Sequence, residues 1–488
     1  MKAVRAMRFR VESFFGRQGG RTFLRGAWLG SRVWVLVFAL AAGSPVTNGE
    51  SGAEEFRVPG DLAQRLERLR ESAWRSNRAM ERLAYLCDRF GPRLSGSTNL
   101  EAAIDWILGE LKADGFDRVT GEPVEVTRWV RGKESLRMLS PHAMELPMLG
   151  LGGSVGTAPE GLVADCLVVT NFAELRARES EVRGRIVLFN AAFTSYGETV
   201  SYRVQGAIAA AKAGAVASLV RSVAPYSLRT PHTGMMSYDP AVTKIPHAAI
   251  AAEDADRLMR EQQRGTRLRL ELNMSARTDP NPARSRNVVA DLLGSESPGE
   301  IVVMGGHIDS WDVGQGAQDD GGGCMAAWEV MRLVKELGLR PKRTMRLVLW
   351  TNEENGLGGA KAYVEAHRQE MAHHVLAFES DEGIFAPTGF RFTGSERGMK
   401  LLRGLLPLVQ PAAAARIDVG ARPADAAQMI PEGVPVLDLK GDRDRYFWFH
   451  HTEADTVDKV SPSDMRQCVA AMAILLFGVA DHPVRLPR

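Results

Sequence analysis

Residues 305–323, reading GGHIDSWDVGQGAQDDGGG, constrain this chain more than any other stretch, because one histidine and four carboxylates are packed into a glycine-rich loop between two recognisable elements. The apolar run 301–304 precedes it, and residues 325–337 that follow carry apolar side chains at helical spacing. A strand therefore ends where the polar residues begin. In open α/β sheets ligands gather at the carboxyl ends of strands, so chemistry is expected here.

His307 and Asp309 fit an imidazole that binds a metal through one nitrogen while a carboxylate fixes the other. Twelve residues after His307 comes Asp319, and the intervening glycines allow a sharp turn that returns it toward His307, where it could bridge two metal ions. The other reading is that Asp319 and Asp320 simply open the next helix, where carboxylates meet the amide dipole favourably.

The same arrangement recurs twice. The apolar strand 344–350 ends in T-N-E-E-N-G, so Glu354 could hold a metal while Glu353 faces a substrate water as general base; an exposed acidic turn is the alternative. The strand 375–378 ends in E-S-D-E-G, where Asp381 is the best third carboxylate ligand and Glu379 and Glu382 are supporting or surface groups. Near the C-terminus a buried strand over 434–439 leads to RYFWFHHTEADT. There His451 is favoured over His450 as a ligand, with Asp455 as the carboxylate that holds it. His232 and His247 read as ordinary satisfied histidines, and His367, His373 and His374 as solvent-facing ones.

The set is then His307, Asp319, Glu354, Asp381 and His451. Shared through Asp319, each of two metals receives one histidine, one terminal carboxylate and one bridging oxygen, with room for a bridging water. Nitrogen and oxygen donors without thiolate fit zinc, with cobalt or manganese as alternatives. Two such ions acidify a shared water and polarise a carbonyl, which points to amide hydrolysis without a protein nucleophile.

The rest of the chain frames this site. Its 488 residues suggest two or three domains, and 45% apolar with 25% charged residues is a globular composition. Residues 1–32 hold eight Lys or Arg and one Glu, and 33–42 form a short apolar core ending in Ala39-Leu40-Ala41, the layout of a secretory signal with a long basic region. An uncleaved anchor is the alternative, but the run is short for a membrane span. Removing that local +7 from the total of +2 leaves about −5, which indicates no basic surface for nucleic acid. Cys87, Cys166, Cys324 and Cys468 are scattered and read mainly as buried apolar residues, with one disulfide left open. A helix capped by Asp61 is expected over 61–90, another over 100–112, and a strand through Val119, Val124 and Val126. From about 132 to 273 glycine turns, short β-branched runs and one alanine-rich helix suit a smaller β-rich insert. Beyond it, continuous apolar strands alternating with helices imply an α/β sheet covered on both faces.

With these residues in hand, the chain resembles the co-catalytic zinc aminopeptidase and carboxypeptidase superfamily, the MH clan, over roughly 61–488. GGHIDSWDVGQGAQDDGGG and YFWFHHTEADT most resemble its plasma glutamate carboxypeptidase branch. That resemblance implies a mixed, mostly parallel sheet between helices. It implies one zinc on His307 and Asp381, the other on Glu354 and His451, Asp319 on both, and Glu353 as proton acceptor. GRIVLF and GAIAAAKAGAVASLV are similar to a protease-associated domain, which in relatives carrying it acts as a lid. The expected organisation is a signal peptide over 1–42, a first catalytic part over 55–131, a protease-associated-like insert over 132–275 and a second catalytic part over 276–488. The branch often has H-H-S-H-G-D where this chain has H-H-T-E-A-D, closer to the wider aminopeptidase group. This bears on preference between dipeptides and amino termini of longer chains, not on metal binding. Tyr446 is a candidate for steadying an oxyanion, aromatic packing explaining it equally well.

The expected function is a secreted dinuclear zinc exopeptidase acting on short peptides, with no stable membrane span after signal removal and homodimerisation left open. Two alternatives are a single-zinc acyltransferase of the glutaminyl cyclase kind and a non-catalytic receptor homologue. The first needs only one histidine, one aspartate and one glutamate; the second predicts missing ligands, and none is missing.

Overall fold

The computed structural model describes residues 56–225 and 227–488. The segment read as a signal peptide lies outside the described residues.

Eight strands form the sheet that positions the site: β1 (Arg118–Val126), β2 (Ala283–Leu292), β3 (Ser297–His307), β4 (Arg343–Trp350), β5 (His374–Glu379), β6 (Gly389–Thr393), β7 (Ile417–Val419) and β8 (Val436–Lys440). Their order is β1-β2-β4-β3-β5-β8-β6-β7. The central four, β4, β3, β5 and β8, run parallel. β1 and β2 join antiparallel on one side, and β6 antiparallel on the other with β7 parallel to it.

Alternation along the central strands explains why they read as continuous apolar runs. Val302, Met304, Met345, Leu347 and Leu349 enter one core, while Ile301, Val303, Val348 and Trp350 enter another on the opposite face. The first core is roofed by the helices Gly60–Arg75, Arg78–Phe90, Thr98–Ala113, Gly322–Glu336, Glu396–Val409 and Pro462–Asp481; Gly358–Ala366 packs on the second. Pro462–Asp481 is long and apolar enough to cross a membrane, yet it is a core helix, buried along most of its length.

Between β1 and β2 the chain builds a second eight-stranded sheet, whose strands all fall within residues 134–274. Its central strands Leu162–Val169, Ile186–Phe189, Ala217–Arg221 and His247–Ile250 are parallel, and the helices Phe172–Ala177, Tyr196–Lys212 and Ala252–Gln263 accompany them. The chain enters and leaves this layer side by side, Trp129–Val130 pairing antiparallel with Arg277–Thr278.

Some local expectations need correcting. The helix expected over 61–90 is two helices, broken at Ser76 and Asn77, and Asp61 lies in the first turn rather than at the cap, which is Pro59 without a side-chain bond. The alanine-rich helix is longer than its alanine run because Ser195 accepts from the Glu198 amide and starts it at Tyr196. His374 is fully buried against the Tyr363 hydroxyl at 2.9 Å, and His367 is largely covered by Glu122 at 3.0 Å; only His373 is exposed. All four cysteines are buried and free.

Candidate metal centre

The carboxyl ends of β3, β4 and β5 lie side by side, with His307 paired to Trp350 and Gly305 to Glu379. Each strand therefore delivers its following residues to one place: His307 itself, then Glu353 and Glu354 after β4, and Asp381 after β5. His451 follows the helix Arg443–Phe449, which begins just past the end of β8.

The five expected residues come together around Asp319. Its Oδ1 lies 3.2 Å from His307 Nε2, which is also 3.2 Å from Asp381 Oδ1. Its Oδ2 lies 3.3 Å from His451 Nε2, which is 3.0 Å from Glu354 Oε2. His450 stacks on His451 at a centroid distance of 3.5 Å, but its Nε2 stays 3.9 Å from Asp319. His451 adopts a left-handed backbone with φ of 62°, an uncommon state for a non-glycine residue, and this turn presents its ring to Glu354.

The hydrogen bonds of the imidazoles show what these atoms are set up to do. His307 Nδ1 lies 3.0 Å from the Asp309 carbonyl oxygen, and His451 Nδ1 lies 3.2 Å from that of Thr233. A carbonyl can only accept, so Nδ1 is the donor to it in each ring and Nε2 is the nitrogen that faces the carboxylate oxygens. Burial opposes a charge on His307, yet without a cation the carboxylates of Asp381 and Asp319 keep its imidazole protonated. A bound metal would take the place of those protons, with a lone pair from each group turned toward it. Asp319 Oδ2 and Glu354 Oε1 are buried without a hydrogen-bond partner. One ligand atom each from His307, Asp319 and Glu354 falls within 4.8 Å of the others. Two donors held about 2.0–2.1 Å from a tetrahedral zinc stand about 3.3 Å apart, which matches the 3.0–3.3 Å separations here. The donor set fits a metal.

The surrounding electrostatics agree. Burial pushes the carboxyls of Glu353, Glu354 and Asp381 above their ordinary range, reinforced by the carboxylates around each, Asp319 common to all three. Burial works against ionisation of Asp319 too, but its bond to His307 and the nearby His450 and His451 hold its carboxyl well below that range.

Supporting groups differ from the expectation in instructive ways. Asp309 was expected to hold His307 through its carboxylate, but that contact is 3.8 Å; its main-chain oxygen does the holding. The Asp309 carboxylate instead accepts from the amides of Glu353 (3.1 Å) and Glu354 (3.4 Å) and from Ser95 Oγ (3.0 Å), pinning the glutamate turn. Asp455 likewise grips the amides of Gln318 (2.7 Å) and Asp319 (3.2 Å) rather than His451. Asp320 accepts from the His307 and Gly323 amides, each at 3.1 Å, so it both begins the helix and fixes the ligand strand. Glu379 binds the amides of Asp425 and Ala426, and Glu382 pairs with Arg391 and Arg443, so both remain supporting groups. His232 ties its Nδ1 to the His450 carbonyl at 2.8 Å. Thr233 and His232, from the second sheet layer, thus hold the His450-His451 turn. A main-chain carbonyl more than two hundred residues away leaves no mark in a sequence pattern.

The cluster opens into a cavity of about 330 Å³, lined among others by Tyr196, Arg203, Glu353, Asp381, Tyr446 and His450.

Residues 287–476 match peptidase family M28. The chain is 46% identical to carboxypeptidase Q of Homo sapiens over 435 residues, covering 89% of this chain and 92% of that protein. Among solved structures it is similar to a peptidase M28 precursor from Shewanella amazonensis, with 34% identity, a TM-score of 0.84 and coverage of 88% and 98%. A zinc aminopeptidase from Bacillus subtilis shares the fold at 18% identity, with a TM-score of 0.64 and coverage of 84% and 97%.

Proposed function

Given that the chain belongs to peptidase family M28, we propose that it is a secreted dinuclear zinc exopeptidase that hydrolyses dipeptides or removes amino-terminal residues from short peptides. The observation that carries this reading is the division of Asp319, one oxygen toward His307 and Asp381, the other toward His451 and Glu354. Two zinc ions held there by these five residues would supply Lewis-acid polarisation of the scissile carbonyl and would acidify a water. Glu353 lines the same cavity and takes the proton from that water as its oxygen bonds to the carbonyl carbon; the same proton then goes to the leaving amine as the C–N bond breaks. Asp309 keeps Glu353 in place through the Glu353 amide. The layer between β1 and β2 is taken as protease-associated-like, and the basic and apolar leader over 1–42 as the export signal.

A single-zinc acyltransferase would leave His451 without a task, although it sits 3.0 Å from Glu354. The decisive trial is Glu353→Gln. Hydrolysis of a dipeptide panel should fall by about 10²–10⁴-fold, with two zinc ions per chain still bound. Retained turnover would remove Glu353 from its role, and one zinc per chain in the wild type would favour the acyltransferase.

A further inference from the structure

The helix Tyr196–Lys212 belongs to the second sheet layer, yet its first and eighth residues, Tyr196 and Arg203, both line the cavity that holds the carboxylate cluster. Seven residues apart, they lie on one helix face, and a long side chain reaches back toward the helix N-terminus. Arg203, only 6% exposed, places Nη2 2.8 Å from the Tyr196 hydroxyl and Nη1 3.3 Å from the Thr233 carbonyl. The Tyr196 ring stacks on Phe447 at 4.9 Å and meets His450 edge-on at 5.2 Å, so the hydroxyl is fixed from three sides.

A guanidinium can only donate, so the phenol oxygen accepts from Arg203 and its single O–H remains to be given. Among the described residues that proton has no protein acceptor. Burial raises the phenol above its ordinary pKa against the pull of the Arg203 cation, so it stays a donor at neutral pH. We infer that Tyr196 donates this hydrogen bond to the carbonyl oxygen of the scissile amide as that oxygen gathers negative charge, with Arg203 as its positioning residue. The inference rests on the peptide hydrolysis proposed above. As the water oxygen bonds to the carbonyl carbon, the C=O π pair moves onto the oxygen and the water proton passes to Glu353. Tyr196 keeps its own proton throughout. A donor fixed in the cavity wall before the step needs little reorganisation during it. The second layer then completes the active site instead of only covering it.

The test uses the full zinc-loaded chain with dipeptide substrates and a phosphinic dipeptide, a mimic of the tetrahedral anion. Tyr196→Phe should lower kcat by about 10²–10³-fold with KM, zinc content and Tm unchanged, and should weaken phosphinate binding by the same factor. Arg203→Met should lower kcat in the wild-type background and add nothing in the Tyr196→Phe background; additive losses would overturn its positioning role. An unchanged kcat in Tyr196→Phe, or Tyr446→Phe carrying the loss in its place, would overturn the assignment while leaving the hydrolase reading intact. A wild type inactive on every peptide would overturn both.

Discussion

Single atoms decide how firmly this site is held, and Asp309 shows it best. Its carboxylate satisfies two amides and one hydroxyl, and those amides belong to Glu353 and Glu354, the proposed base and the proposed ligand. Asp309→Ala leaves three donors without an acceptor, and each buried orphan costs about 1–3 kcal/mol. Loosening of the Glu353-Glu354 turn should weaken zinc binding about 10–100-fold, as read by titrating zinc into the metal-free variant; unchanged affinity would show the turn is rigid without Asp309. At the far end of β5, His374 makes a different statement. Burial lowers its pKa from 6.5 to about 4, its nitrogens facing the Tyr363 hydroxyl and the Glu370 carbonyl. Between those values the unfolded chain binds a proton that the folded chain does not, so stability is lost as pH falls from about 6.5 to about 4. The group contributes at most about 3 kcal/mol to that slope. Tm of His374→Gln should therefore decline less steeply across this window than Tm of the wild type, and parallel curves would mean that His374 titrates normally.

At the level of strands and loops, the glycines of residues 305–323 divide their work. Gly314 and Gly316 take positive φ, 67° and 58°, and make the turn that the sequence pattern anticipates. Gly305 serves close approach instead: a Cβ there would stand 1.7 Å from the Val348 carbonyl oxygen, across the β3–β4 pairing. Gly305→Ala should cost upwards of about 2 kcal/mol by prising these strands apart, measured as a fall in the denaturant midpoint; a change below about 0.5 kcal/mol would show that the pair can shift. Strand ends are also where the sequence is most informative. His307, Glu354 and Asp381 each stand at or just past an apolar run, where charge has no packing reason to be, so these three can be singled out without coordinates. Pro462–Asp481 has no such signature, since a helix buried all round carries no polar face to set its period. Nor do the partners of the ligands: Asp455 reaches amides rather than the neighbouring histidine, and Thr233 acts through its backbone. His374 resembles a surface histidine because its burial depends on Tyr363, eleven residues earlier on another element.

Across the whole molecule, the site joins two layers that the chain connects only through the paired segments Trp129–Val130 and Arg277–Thr278. Trp311, from the loop that follows His307, is buried in the core of the second sheet, and Arg131 meets Asp312 with Nε 2.9 Å from the carboxylate. From the opposite direction Thr233 holds His451, and Arg203 stands 3.5 Å from the same ring. Cations between the carboxylates would therefore clamp both layers at once, whereas without them Glu353, Glu354 and Asp381 face one another across a buried space. Binding at about a thousandfold above Kd adds about 4 kcal/mol to the folded state, so chelation should lower Tm by several degrees and zinc should restore it. Because the clamp spans the layers, the metal-free chain should also open first where they join. Limited proteolysis of the chelated protein should cut near residues 127–133 or 275–282 before any strand of either sheet, and zinc should protect those sites. Equal Tm and identical fragments with and without chelator would show that packing around Trp311 and Arg131 holds the layers together alone, and that the ions serve only the chemistry.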